Sequence, residues 1–269
     1  MNTIAGPAMP FARTLRYSIG SLLGAIFVVG GRCIPRVLTG RATVIERETV
    51  RQTLGFLSGT AGSSALTTFI YGLAAAYGVI GNTASPEVFM SMVLPQLGGA
   101  FLQFVIPFAI GNLVVLKGVV GMTSDIASMR VSQEVDALEA VGLHPAEMVF
   151  APRALALIIT APALAVLGVY SACLGAWLVS WISVGAEFTE FIAAYASSIT
   201  SGALLLTVAK LAITAMAMSI ISGYFGFLGA KAEQGFVGKI TTSAVATAVF
   251  SSIIVNLLLS LLTAAFKNG

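Results

Sequence analysis

Uncharged residues run over 54–80, 88–116, 154–184, 204–228 and 241–266, with Lys210 the one interruption. A perpendicular helix needs about 20 residues to cross the hydrocarbon, so each run predicts a transmembrane span. Pro95 and Pro107 fall inside the second run and predict kinks there, because proline gives no N–H to the helix ladder. Pro162 lies near the start of the third, and Trp181 near its far end suits a membrane interface. The apolar run 17–31 is shorter than a span. It has Arg13 and Arg16 before it and Arg32 and Arg36 after it. Arginines at both ends predict an elbow helix, interfacial or re-entrant, with both ends on one side; the alternative is a short or tilted first span.

Between the second and third spans the pattern changes period. Val131, Val135 and Leu138 recur at helical spacing among Gln133, Glu134, Asp136 and Glu139. This predicts a short amphipathic helix within 124–143, outside the hydrocarbon, closed by Gly142 and Pro145. A second amphipathic stretch, Phe188, Phe191, Ile192, Tyr195 and Ile199, predicts a surface helix between spans three and four. The expected fold is therefore all-α integral membrane: an elbow helix and five spans, in a single domain over 1–269.

Composition agrees. Of 269 residues 57% are hydrophobic and 9% charged, against about 25% charged in soluble domains. The 28 glycines fit helices that approach closely in lipid. The formal charge of +3 does not predict a nucleic-acid partner, because the basic residues sit beside apolar spans rather than in one patch. Cys33 and Cys173 are far apart and form no CxxC, so neither a metal site nor a disulfide framework is expected. The first apolar run is followed by arginines with no small-residue cleavage site, unlike a signal peptide.

Charge also orients the chain. With the N-terminus cytoplasmic and five spans, twelve of the 14 basic residues fall inside, Lys267 falls outside and Lys210 lies within a span. That asymmetry predicts a cytoplasmic N-terminus and places 124–143 in the cytoplasm.

No GxxxxGK[ST] phosphate loop, HExxH or GxSxG occurs, and His144 is the one histidine. Nucleotide hydrolysis, metal chemistry and acyl transfer are therefore not expected of this chain, which is read as no enzyme with no catalytic residues and no cofactor of its own. His144 reads as a helix-end residue, and Asp125 as a structural partner of Lys117 or Arg130.

The stretch MRVSQEVDALEAVGLHPAEMVFAPRALA resembles the hallmark of MlaE/YrbE permeases, sharing Met129, Asp136, Leu138, Glu139, Gly142, Pro145, Pro152 and Arg153. Supporting matches are VGKITTSAV at 237–245 and Lys210 with Gly226. The resemblance covers roughly residues 95 to 250 and agrees with an elbow helix plus five spans. It implies the membrane subunit of an ABC transporter that moves phospholipid or another hydrophobic lipid. ATP and Mg²⁺ belong to a separate ATPase subunit, and an MCE-domain protein and a second permease copy or paralogue are the further partners. The implied location is the bacterial inner membrane, or an organelle envelope if the source is a plant.

On that reading the amphipathic helix couples to the ATPase, with Glu134, Asp136 and Glu139 presenting carboxylates and Leu138 and Val141 as apolar anchors; the alternative is a solvated loop helix. Lys210, about six residues into its expected span, either faces a lipid cavity and pairs a lipid phosphate or carboxylate, or snorkels to the outer interface. Gln103 and Phe104 stand where the family carries Arg-Glu. An apolar wall there suits acyl chains, and this chain is then one half of an unequal dimer or handles a divergent substrate. Phe69 and Tyr77 are further cavity candidates, and Arg13, Arg16, Arg32 and Arg36 suit headgroups or the partner's anchor. A non-transporting scaffold and a membrane-embedded lipid enzyme are the other readings; the latter lacks a cluster of intramembrane His, Asp or Cys.

Overall fold

The computed structural model describes residues 19–38, 44–83, 86–197, 199–228 and 236–268. Among them no strand occurs, and five helices are long and apolar enough to cross a membrane. In chain order these are α2 (Val44–Ile80), α3 (Phe89–Val131), α5 (Ala146–Val184), α7 (Ser201–Phe227) and α8 (Phe236–Asn268). The short helices are α1 (Ile19–Leu38), α4 (Glu134–Ala140) and α6 (Phe188–Ala196). The expected N-terminal apolar helix and five membrane-length helices are thus found. Several helices outrun their apolar runs: α1 continues past Gly31 to Leu38, α5 begins at Ala146 rather than at 154, and α8 begins at Phe236 rather than at 241. The first span's helix begins at Val44, taking Glu46, Arg47, Glu48 and Arg51 into its opening turns, and α3 continues past Leu116 to Val131.

The chain forms two compact units, and each long span contributes to both. In the unit holding 55–114, 158–215 and 250–269, α2 carries a ridge of small residues at every fourth position. Thr60, Ser64, Thr68 and Ala76 are 0–1% exposed, with Gly72 buried between them. The ridge meets α5. A Cβ on Gly72 would overlap the Ala172 backbone, and one on Gly175 would overlap the Phe69 carbonyl. Small residues let two backbones touch in lipid, where water gives no hydrophobic drive and van der Waals contact must hold the helices. Two of the hydroxyls cost little, because they return to their own helix: Thr68 Oγ1 donates to Ser64 O at 2.8 Å and Ser64 Oγ to Ala61 O at 2.9 Å. The apolar centre of this unit gathers Phe89, Leu94, Leu97 and Phe101 of α3 with Ala172, Ala176 and Val179 of α5. From α6, Phe191 and Tyr195 pack down onto it, and burial pushes the Tyr195 phenol above its ordinary range.

Pro95 and Pro107 reshape α3. Each is the second residue of the α-segment that follows a π-helical stretch, Phe89–Val93 before Pro95 and Phe101–Val105 before Pro107. Pro107 offers no N–H to the Gln103 carbonyl four residues back, and the Ile106 N–H reaches Phe101 O instead. The carbonyls of Leu102 and Gln103 therefore lose their α-helical donors. Inside a membrane such groups need replacement partners, and α7 supplies them.

In the other unit, α3 and α7 meet through a buried polar contact. Thr123 Oγ1 and Ser222 Oγ share a hydrogen bond of 2.9 Å. Gly226 lies against Ile126, where an added Cβ would stand 2.8 Å from Ile126 Cβ. The elbow helix α1 buries Leu22, Ala25, Ile26 and Val29, and Gly30 faces Leu155 of α5.

Candidate transport and coupling sites

Periodicity predicts one helix across Met129–Gly142; the structure breaks it in two. Gln133 adopts φ 62°, a left-handed conformation that costs a residue with a Cβ about 1–2 kcal/mol. The Gln133 N–H closes back onto Arg130 O at 3.3 Å, and the Ala137 N–H restarts the ladder on Gln133 O at 2.9 Å. The reversal brings Asp136 under Arg130. Arg130 is 5% exposed, and its Nη1 donates to Asp136 Oδ1 at 3.1 Å. Its Nε has no hydrogen-bond partner among the described residues. Val135 is fully buried. The ion pair and this apolar plug offset the local strain and fix α4 against the end of α3.

The far end of α4 is a Schellman cap. The Gly142 N–H reaches Glu139 O, the Leu143 N–H reaches Leu138 O, and Gly142 holds φ 81°. The predicted glycine stop is therefore found. Beyond the latch, Val141 is 78% and Leu143 40% exposed. Glu134 is exposed, its carboxylate accepting from Ser132 Oγ at 2.9 Å, and Leu138 and Glu139 are half-buried. A cavity of about 470 Å³ lies between this cap and α1, lined by Gly24, Ala25, Glu139, Leu143, His144 and Glu147 among others. Of the expected coupling residues, Asp136 is thus turned inward and Val141 outward. Asp125 meets Arg153 Nε at 3.9 Å, and Arg130 is taken by Asp136, so the expected Asp125–Arg130 pair is not the one formed.

The second candidate site centres on Lys210. It is the tenth residue of α7, about 14 Å along the helix from Ser201 at ~1.5 Å per residue. It is 3% exposed. Its Nζ donates to the Gln103 carbonyl at 3.4 Å and bonds Ser260 Oγ at 3.2 Å, and lies 5.9 Å from the Phe104 ring centre. One turn before it, Thr207 Oγ1 donates to Leu102 O at 2.9 Å. Thr207 and Lys210 share one face of α7 and serve the two carbonyls whose donors the Pro107 turn removes. The structure therefore brings Gln103, Phe104 and Lys210 together.

Two hollows adjoin them. A cavity of about 390 Å³ is lined by Gln103, Thr200, Ala203, Leu206, Thr207, Lys210 and Thr263. An apolar groove of about 410 Å³ is lined by Tyr71, Phe104, Val105, Phe108, Ile253, Asn256, Leu257 and Ser260. Phe69 and Tyr77 line neither; Phe69 lies at the α5 crossing and Tyr77 is 70% exposed. The groove aromatics that sequence reasoning left unassigned are Tyr71 and Phe108. Tyr71 lies two residues from Phe69, and helical periodicity alone gives no rule for choosing between their faces. Arg13 and Arg16 lie outside the described residues, as do the side chains of Arg32 and Arg36, which fall on α1. Among the described residues no group of His, Cys, Asp or Glu could hold a metal ion.

Comparison with known proteins fits this arrangement. A probable ABC transporter permease protein of Rickettsia prowazekii is 30% identical over 154 residues. Counterparts from Rickettsia felis and Rickettsia typhi are 30% and 29% identical over the same length. The match takes in 57% of this chain and 59% of each relative's length, so the chain spans under two thirds of the curated relatives it matches. The family model described as Permease MlaE matches residues 49–262. With five membrane-crossing helices and that match over most of its length, the chain is a multi-pass membrane protein that belongs to the MlaE permease family.

Proposed function

We propose that this chain is the permease subunit of an ABC transporter that moves phospholipid or another hydrophobic lipid across or out of a bacterial inner membrane. In this reading the N-terminus is cytoplasmic, as the basic residues favour. A separate ATPase subunit holds ATP and Mg²⁺ and docks on α4 and the cap that follows. A second permease copy or a paralogue completes the lipid path, and an MCE-domain protein receives or delivers lipid on the outer side.

The observation that carries the reading is the latched α4. A helix meant to transmit force must be fixed to the spans at one end and present a surface at the other. Arg130–Asp136 and buried Val135 supply the first; Val141, Leu143 and Glu134 supply the second. The family membership and the ABC transporter permease names of its relatives support the same reading.

The test is purification of the full chain with its co-expressed neighbours in mild detergent, followed by mass spectrometry of subunits and bound lipid. An ATPase subunit, an MCE-domain protein and acyl lipid are expected together. A chain that purifies with lipid but no ATPase contradicts the reading and favours a scaffold.

A further inference from the structure

Lys210 is a buried cation whose contacts among the described residues are all neutral. Its two hydrogen-bond partners are a backbone carbonyl and a hydroxyl, and its ring neighbour is Phe104. The ion pairs found among the described residues, Arg51–Glu48, Arg130–Asp136 and Arg153–Asp125, all lie elsewhere. An ammonium carries three donors, so one remains for a ligand. A lone charge at this depth is costly in a membrane span and is offset when an anion meets it.

The surrounding hollows show which anion fits. Gln103 and Thr200 line the cavity that Lys210 lines, and their side chains make no hydrogen bond among the described residues. They add an amide and a hydroxyl donor beside the ammonium. Ser260 joins the two hollows: it bonds Lys210 Nζ and also lines the apolar groove of Tyr71, Phe104, Phe108 and Leu257. Asn256, 8% exposed, lines the same groove with its Oδ1 unpartnered among the described residues. An acidic headgroup therefore has donors on one side, and its chain has aromatic and aliphatic walls on the other.

We propose that this site takes an anionic amphiphile, an acidic head on an acyl chain, in preference to a zwitterionic phospholipid. The head sits against Lys210, Gln103 and Thr200, and the chain lies along Phe104 and Phe108. A zwitterionic head brings its own ammonium, which finds no carboxylate among the described residues of this site and is repelled by Lys210. The inference rests on the permease reading only in taking the bound lipid to be cargo.

The experiment uses the full chain with its co-purifying subunits in neutral maltoside micelles. These carry equal moles of dioleoylphosphatidylglycerol, dioleoylphosphatidylcholine and oleate, and retained lipid is quantified by mass spectrometry. Both phospholipids offer Lys210 a phosphodiester, so the discrimination comes from the choline cation. Like charge beside the ammonium, worth about 1.4 kcal/mol, predicts about tenfold enrichment of phosphatidylglycerol or oleate over phosphatidylcholine. The two acidic probes distinguish a phospholipid head from a free fatty acid. Lys210→Met should bring the ratio to about one, and Lys210→Arg, which keeps the charge, should retain it. Monodisperse elution of both variants confirms that they fold. Equal retention of the acidic and zwitterionic lipids by the wild-type protein overturns the proposal, as does a preference that survives in Lys210→Met. The permease reading fails separately: phosphatidylglycerol enrichment that depends on Lys210, in a complex whose ATPase responds to no lipid, leaves this site standing and removes the transport role.

Discussion

Asp136→Asn should release α4 from α3 without unfolding the spans. The substitution keeps the side chain's shape and removes its charge, leaving Arg130 buried beside a neutral amide. Breaking a fully buried ion pair by removing one partner costs about 3–5 kcal/mol. Here Arg130 is 5% exposed but Asp136 is 35% exposed, so water screens the pair in part. The lower figure for a buried charged donor left poorly satisfied, about 1–3 kcal/mol, applies better. About 2 kcal/mol corresponds to roughly a 30-fold change in an opening equilibrium. Hydrogen exchange on the full chain reads it directly. Amides over 134–143 should exchange about 30-fold faster in Asp136→Asn, with those of α5 unchanged. Glu134→Gln is the matched control. Its carboxylate is exposed and, among the described residues, is held by Ser132, so a shift within about 0.5 kcal/mol is expected. Exchange over 134–143 that is unaltered in Asp136→Asn, or equally altered in Glu134→Gln, would refute the latch.

Val141→Glu changes a residue that is 78% exposed; melting should be unaffected, while recovery of the ATPase on affinity-tagged permease should fall sharply. Gly72→Leu forces a side chain into the Ala172 backbone and should destabilise the chain by about 1–3 kcal/mol or more, seen as loss of the monodisperse peak after mild heating. Gly62→Leu, where nothing lies within 4 Å, should leave that peak intact. Phe108→Ala removes one wall of the apolar groove and should lower retention of both two-chain phospholipids while preserving their ratio, measured by lipid mass spectrometry.

Much of the architecture is written in hydropathy, because lipid punishes every charge and every unpaired backbone group. Five apolar runs, one of them carrying Lys210, therefore show as five helices. Their ends are less legible: Glu46, Arg47, Glu48 and Arg51 break the apolar pattern at the start of α2 without breaking the helix, since neither helix propensity nor capping forbids them there. The Ser132–Gln133 turn was hidden for a different reason. A left-handed residue is usually announced by Gly or Asn, and here a tertiary ion pair and buried Val135 impose it on glutamine. At the second site, Lys210 stands out as the one charge in an apolar run. The sequence also contains Pro107 four residues after Gln103, which says that a carbonyl there lacks its donor. What sequence could not supply is the register between α3 and α7 that brings that carbonyl to Lys210. Nor could it choose Tyr71 over Phe69 and Tyr77, because the close α2–α5 crossing at Gly72 and Gly175 decides which face of α2 remains open.

Coupling of a separate ATPase to lipid movement by this chain is read from ATP turnover in proteoliposomes. The complex isolated on this chain is reconstituted with and without added acyl lipid, and the same is done for Val141→Glu. Lipid-stimulated hydrolysis that is lost in Val141→Glu, with the spans still folded, is the predicted result. Hydrolysis that is indifferent to lipid and to the exposed face of α4, or a permease that carries no ATPase at all, would contradict it.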